Sequence, residues 1–334
     1  MINRLQRQRK RIIKRRVLLM ILALLIGTGV WAVNRFLIGH AKKMNVTAPV
    51  SKASLLPDTL PDTFPIKDAS PADSAASSSV QAPMDEKPQD TVIARSDGIN
   101  HISIRKTVTG AGADKITYYT ADVRTSDIKE IKSCFADDIY GENIREKTSS
   151  MAARCNAVFA VNGDYYGYRS DGIIIRNGEL FRDMAHRQGV VFLKNGTMKI
   201  YDENVTSGGQ LITDGAWATY SFGPGLIEKG NILKGLDKKF GVDGTFIEGR
   251  QPRTAVGQIG KNHFVFVVVD GRQDGYSCGM TLVELADLMK SYGCKTAYNL
   301  DGGNSATMYF KGNVLNYPSS RNNERSISDC IFIN

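Results

Sequence analysis

From residue 100 onward, short apolar runs alternate with polar, glycine-rich corners, the pattern of buried strands that end in loops. Residues 101–108 and 115–123 alternate well enough to predict strands, the second reading Lys-Ile-Thr-Tyr-Tyr-Thr-Ala-Asp-Val. A helix is predicted from Asn143 to Arg154, with a core strand from Asn156 to Val161 behind it. Between Gly172 and Tyr201, Asn-Gly pairs at 177–178 and 195–196 predict a meander, because Asn-Gly suits tight hairpin turns. Further strands are predicted over 216–223, 226–233, 253–259, 263–269 and 326–333. The clearest helix runs from Thr281 to Tyr292, where Leu282, Leu285, Ala286 and Met289 form an apolar stripe and Gly293 supplies the stop. Thr281 and Glu284 have capping-box spacing at its start. The pattern predicts an α+β domain with a large mixed β-sheet and a few helices.

The first hundred residues read differently. Residues 17–38 are apolar apart from Asn34 and Arg35, and roughly twenty apolar residues in a helix cross a bilayer. Residues 1–16 hold eight Arg or Lys and no acid, so eight of the chain's nine net positive charges lie there and the remainder is close to neutral. That argues against a nucleic-acid-binding face on the main domain. It also predicts a cytoplasmic tail (1–16), an uncleaved transmembrane signal anchor (17–38) and an extracytoplasmic remainder, rather than a cleaved signal peptide. Seven of the ten prolines and a Ser/Ala-rich run fall between residues 44 and 90. Such a composition buries too little apolar surface to order itself, so residues 39–97 read as a stalk and 98–334 as the folded domain.

Three corners share one grammar. Phe159-Ala-Val-Asn-Gly-Asp-Tyr-Tyr166, Phe266-Val-Val-Val-Asp-Gly-Arg272 and Ala297-Tyr-Asn-Leu-Asp-Gly-Gly-Asn-Ser-Ala-Thr-Met308 each take a β-prone run into Asn or Asp followed by Gly. Ligands collect outside strand ends, and functional residues concentrate on the loops there. Asn162, Asp270 and Asp301 are therefore expected at one common polar site. Asp-Gly as ordinary turn chemistry is the competing reading.

These corners, together with Pro252-Arg-Thr-Ala-Val-Gly257, closely resemble the phosphodiester glycosidase family from about Val158 to Ile333. The family usually has Gly where this chain has Asp164 and Asn304, and commonly Ser at Ala306. The resemblance implies a hydrolase that splits a sugar–phosphate bond at the anomeric carbon; with the predicted anchor, it is expected to act outside the membrane on cell-surface material such as exopolysaccharide. Such a reaction passes through an oxocarbenium-like state and needs a carboxylate near that carbon. Asp301 is the leading candidate, as nucleophile or as base for water, and Asp270 the second, as acid/base or merely orienting an arginine. Arg253 is expected to hold phosphate, since its planar fork matches paired oxygens.

Asn162, Asp164, Asn304, Ser305 and Thr307 could bind hydroxyls or phosphate, and the N–H groups of Gly302 and Gly303 could form an anion nest. Arg272 and the ring of Tyr165 are further candidates; Glu284 reads first as a helix cap. No cofactor is implied, although Asp164, Asp270 and Asp301 could instead hold Ca²⁺ or Mg²⁺. The five cysteines show no zinc spacing, and a pair such as Cys134–Cys155 could oxidise outside the cytoplasm. The rival to an enzyme is a catalytically silent glycan-binding module on the same fold. Convergence of Asn162, Arg253, Asp270 and Asp301 on one cleft separates the two.

Overall fold

The structure, a computed structural model, describes residues 20–21, 40–42, 89–97, 100–236, 248–318 and 323–334. In chain order the main elements are β1 (Gln89–Asp97), β2 (His101–Thr109), β3 (Ile116–Arg124), β4 (Lys132–Phe135), α1 (Thr148–Arg154), β5 (Phe159–Asn162), β6 (Gly172–Arg176) and β7 (Glu179–Met184). They continue as β8 (Gln188–Leu193), β9 (Met198–Asp202), α2 (Gly208–Thr213), β10 (Ala216–Tyr220), β11 (Gly225–Glu228), β12 (Arg253–Gly260), β13 (His263–Val269), α3 (Leu282–Ser291), β14 (Thr296–Leu300), β15 (Met308–Phe310) and β16 (Asp329–Ile333).

The largest sheet runs in the order β11, β14, β12, β13, β3, β2, β1, with the short strand Asn231–Ile232 at the β11 edge. A second sheet orders β15, β5, β16 and β4, and β9, β8 and β10 form a third. Strand β13 shows why its sequence is an unbroken apolar run. Phe264, Phe266 and Val268 face the core shared with Phe159, Val161, Met308 and Ile331 of the second sheet. Val265, Val267 and Val269 face the other way, against Leu282, Leu285, Ala286 and Met289 of α3. A strand covered on both faces has no polar alternation to show. The rings of Phe159 and Phe266, 5.4 Å apart, tie the two sheets.

The large sheet is not mixed, because every pairing in it is antiparallel. Strands β13 and β14 do point the same way, joined through α3, but β12 lies between them and opposes both. The predicted helix 281–292 forms with its capping box: Glu284 N–H donates to Thr281 Oγ1 (3.1 Å) and Thr281 N–H donates to Glu284 Oε2 (2.8 Å). The helix expected from Asn143 shrinks to α1. Asn143 has a positive φ, and Glu146 is drawn into backbone bonds with Ile327.

Two pieces of the segment read as stalk are strands. His40–Lys42 pairs with Tyr140–Glu142, and β1 forms the edge of the large sheet, so the hydrogen-bonded fold starts ahead of residue 98. The proline-free stretch at 89–97 explains the second, since nothing in it removes a ladder donor. The basic tail, the apolar segment 17–38 apart from residues 20–21, and residues 43–88 lie outside the described residues. Among the described residues no helix is long and apolar enough to cross a membrane.

Candidate active site

Register brings the polar corners together. Arg253 opens β12 opposite Val269, the last residue of β13, and Thr254 pairs with Leu300, the last of β14. The segments before β12 and after β13 and β14 therefore leave the sheet at one end. Asn162, at the end of β5, joins from the second sheet. Its Oδ1 accepts from Thr254 Oγ1 (2.8 Å) and from Thr307 N–H (3.1 Å), and its Nδ2 donates to the Asp301 carbonyl (2.7 Å). With its amide used in this way and no exposed surface, Asn162 knits three strand ends and sets the backbone of Asp301. It is not among the residues that line the cavity at this end of the sheet.

A cavity of about 430 Å³ opens at this end of the sheet. Its floor is Asn299, Leu300, Asp301, Gly302 and Gly303; its aromatic wall is Tyr165, Tyr168 and Phe222; and Arg253, Arg272 and Arg325 line it with Gln251, Pro252 and Asn304. Asp301 is the one carboxylate among these lining residues. Burial pushes its carboxyl up to about 6, opposed by Ser305, Arg325 and the Gly302 N–H and reinforced by Asp164. The Ser305 hydroxyl is near enough to Asp301 to act on it without completing a full hydrogen bond.

Arg253 is almost fully buried, its Nε donating to the Met280 carbonyl and one Nη to that of Gly249 (3.0 Å each). Burial, aided by Arg272, lowers it to about 10, so it stays charged at neutral pH. The Arg272 guanidinium lies against Gly303 and donates from Nε to Gln251 Oε1 (2.7 Å). Gly302 and Gly303 serve close packing rather than an anion nest. A Cβ on Gly302 would sit 2.6 Å from the Pro252 carbonyl, and the Gly303 N–H donates to that same oxygen. The Gly302 N–H acts on Asp301 itself.

Of the four side chains expected to converge, Arg253 and Asp301 line the cavity and Asn162 and Asp270 do not; several other expected site residues also lie elsewhere. Asp270 is not among the cavity's lining residues. It is 2% exposed and accepts from Tyr276 Oη (2.8 Å), Asn316 Nδ2 (2.9 Å) and the Tyr317 N–H (3.0 Å); burial outweighs these donors and raises its carboxyl. Asp164 is buried and accepts from the N–H groups of Tyr166 (3.0 Å) and Ser221 (2.8 Å), fixing the residues next to Tyr165 and Phe222. Thr307 is buried behind the floor, Asn304 is exposed at the rim, and Glu284 caps α3 and pairs with Arg250 (2.7 Å). Tyr165 does line the cavity, edge-on to Phe222 at 5.1 Å and beneath the Arg169 guanidinium at 4.6 Å.

Asp164, Asp270 and Asp301 do not bring their carboxylates within reach of one ion; among the described residues the grouping that could is Cys134, Asp138 and Cys155, whose cysteines form a disulfide. Sequence reasoning missed Arg325, Tyr168 and Phe222, which belong to no motif. It also missed Arg176 and Asp329, charged residues inside apolar strands, which was itself a signal. Both are buried, Arg176 Nε donating to Asp329 Oδ2 (2.7 Å), with one Nη 3.3 Å from Asp164 and the guanidinium over the Tyr220 ring at 4.2 Å.

The strand ends of this domain gather one raised carboxylate and three arginines around a cavity, which defines a class of site: a positively charged cleft with a single acid. A family profile described as phosphodiester glycosidase matches residues 155–334, and the chain belongs to that family. A SPbeta prophage-derived uncharacterized protein YomE of Bacillus subtilis (strain 168) is 30% identical over 241 residues, 65% of this chain and 36% of its own length. The N-acetylglucosamine-1-phosphodiester alpha-N-acetylglucosaminidase of Homo sapiens is 27% identical over 177 residues, 52% of this chain and 28% of that protein. The Mus musculus enzyme of the same name is 31% identical over 102 residues, 28% and 19% respectively. The matches thus span little more than a third of these relatives at most. A solved zebrafish catalytic domain of that enzyme, auto-inhibited by its pro-peptide, superposes with a TM-score of 0.58 at 21% identity, covering 74% of this chain and 88% of that one. That likeness is one of fold.

Proposed function

We propose that this protein hydrolyses glycosyl phosphodiesters, with Asp301 as its catalytic carboxylate and Arg253, Arg272 and Arg325 as its phosphate clamp. The observation that carries this is the charge ratio of the cavity, one carboxylate to three guanidiniums. A neutral glycoside gives such a cavity nothing to neutralise. A phosphodiester brings a negative charge that three arginines favour electrostatically.

One carboxylate suffices for this leaving group. Ordinary glycoside cleavage needs a second acid to protonate the departing oxygen. Here the C1–O bond breaks and its electron pair leaves on a phosphate that is already a weak base, and the arginines take up the charge. Asp301, ionised above about pH 6, either attacks C1 or takes a proton from the attacking water. Retention of anomeric configuration marks the first route and inversion the second. Tyr165, Tyr168 and Phe222 offer faces to the sugar ring.

The relatives named for an N-acetylglucosamine phosphodiester make that sugar the first to try. The basic residues 1–16 and apolar residues 17–38 support an anchored protein acting outside the membrane on surface or exopolysaccharide material. The test is turnover of a panel of sugar-1-phosphodiesters by the purified protein, with sugar-1-phosphate monoesters and neutral aryl glycosides beside them. Faster hydrolysis of a neutral glycoside than of every diester would refute the assignment.

A further inference from the structure

The apolar residues 17–38, read from sequence as a membrane anchor, are separated by Gly39 alone from the strand His40–Lys42. That strand pairs antiparallel with Tyr140–Glu142, His40 opposite Glu142 and Lys42 opposite Tyr140. An extended chain advances about 3.3–3.6 Å per residue, so the paired strand begins within about 7 Å of the last apolar residue. Its partner strand stands directly behind the aromatic wall of the Asp301 cavity. The Tyr140 ring stacks on that of Tyr166, with centroids 5.3 Å apart and planes 12° from parallel. The Asn143 N–H donates to the Gly167 carbonyl (2.9 Å), and the Arg145 guanidinium lies over the Tyr168 ring at 5.2 Å. Tyr166 and Gly167 are the two residues between Tyr165 and Tyr168, both of which line the cavity. Ile139, which leads into the partner strand, is 36% exposed.

A free coil from residue 39 to residue 88 would hold the domain about 35–40 Å from its anchor. Pairing at His40–Lys42 removes that freedom, because it fastens the chain to the domain before the proline-rich stretch begins. Residues 43–88 then connect two strands of one domain, and the cost of closing such a connection grows only slowly with its length. We propose that His40–Lys42 is a juxtamembrane dock, which holds the face around residues 139–142 against the bilayer that receives residues 17–38. The partner of this face is the lipid surface. Strand spacing and one layer of stacked rings then put the cavity wall within roughly 20 Å of the headgroups. Its substrate is accordingly a glycosyl phosphodiester carried on the membrane rather than in a distant polymer. The dock rests on the anchor reading of residues 17–38, and the substrate class rests also on the phosphodiester reading above.

The full chain, reconstituted in vesicles of phosphatidylethanolamine and phosphatidylglycerol, tests it. Directly opposed residues of antiparallel strands lie close enough for a disulfide, so His40→Cys/Glu142→Cys should bridge on mild oxidation, with the 40–142 link read by peptide mass mapping. His40→Cys/Asp287→Cys should not, since Asp287 is exposed on α3, across the large sheet. A fluorophore on Ile139→Cys should be quenched by headgroup spin-labelled lipid more strongly than one on Asp287→Cys. His40→Pro/Ala41→Pro removes a ladder donor whichever of the two neighbours supplies it, and should erase that difference. Turnover then reads the substrate class, using N-acetylglucosamine 1-phosphate esterified to hexadecanol in the vesicle and its methyl diester in solution. The proline variant should lose about three- to tenfold on the first, as effective concentration at the membrane falls, and nothing on the second. Absence of the 40–142 bridge, or equal quenching at positions 139 and 287, overturns the dock. Undiminished cleavage of the vesicle-borne diester by the proline variant overturns the membrane-borne substrate. Bridging and quenching as expected, without hydrolysis of either diester, would sink the hydrolase assignment and leave the dock standing.

Discussion

The cavity at Asp301 and the buried cluster around Arg176 use the same two side-chain chemistries in opposite ratios. In the cavity three arginines and one carboxylate share the lining, and the surplus charge is positive. In the cluster one guanidinium serves Asp164 and Asp329, the surplus is negative, and all three side chains are fully buried. No ligand reaches the second, and burial pushes Asp329 up to about 7, against the pull of Arg176 and with the help of Asp164, which favours a proton there. A Cβ on Gly163 would collide with that same carboxylate, so the packing leaves no slack there. The difference teaches that arginine and aspartate near a strand end do not announce a site; the sign of the unmatched charge, and whether water can reach it, decides.

Breaking the cluster should have the largest effect. Arg176→Met strands two buried acids and should lower stability by about 3–5 kcal/mol in urea or thermal unfolding, the usual loss when one partner of a buried pair is removed. Lowering the pH should recover part of this, because Asp329 can then be buried neutral. A variant as stable as the wild type at neutral pH would show that the cluster is not held by charge.

Asp301→Asn does the reverse, since it removes chemistry and relieves strain. Turnover of a diester should fall at least about a hundredfold, the order lost with an acid/base or nucleophilic group. Stability at neutral pH should rise by up to about 3 kcal/mol, the free energy of moving a carboxyl from 3.8 to about 6. Asp301 remains partly open to the cavity, and solvent screening trims that figure. Undiminished turnover would take the catalytic assignment away from Asp301.

Arg253 sharpens the contrast at the phosphate. Arg253→Ala should cost roughly ten- to a hundredfold in kcat/KM on a diester, from the about 1.5–3 kcal/mol of a charge-assisted hydrogen bond, and Arg253→Lys should recover only part. Slow cleavage of a neutral aryl glycoside should barely change. Equal losses on both substrates would make Arg253 a structural residue.

The last contrast is set by pH. Asp301 and Asp329 both titrate higher folded than their ordinary 3.8, so between about pH 4 and 7 the folded chain binds more protons than the unfolded one. Their contribution to stability is complete below about pH 4 and is lost as pH rises through 6 and 7. Activity runs the other way: kcat should climb as pH rises through about 6, because Asp301 works ionised. A kcat that fell through that range would assign Asp301 the role of acid.

Much of this protein could be read from its residues in order. Local pattern determined β2, β3, β12 and β13, the helix after Thr281 with its cap, and the expectation that strands would end at Asn162, Asp270 and Asp301, because alternation, capping and turn chemistry act between neighbours in sequence. Arg253 and Asp301 were visible as candidates for the same reason, each standing at the edge of an apolar run. Which corners face one cavity was decided by register and by the order of strands in the sheet. That is a matter of which residues end up opposite one another across more than a hundred positions, and Arg325, Tyr168 and Phe222 carry no local mark of it. Asn162, Asp164 and Asp270 have the right chemistry for a site. Only the folded chain, by burying each against donors from distant segments, determined that all three position other residues instead.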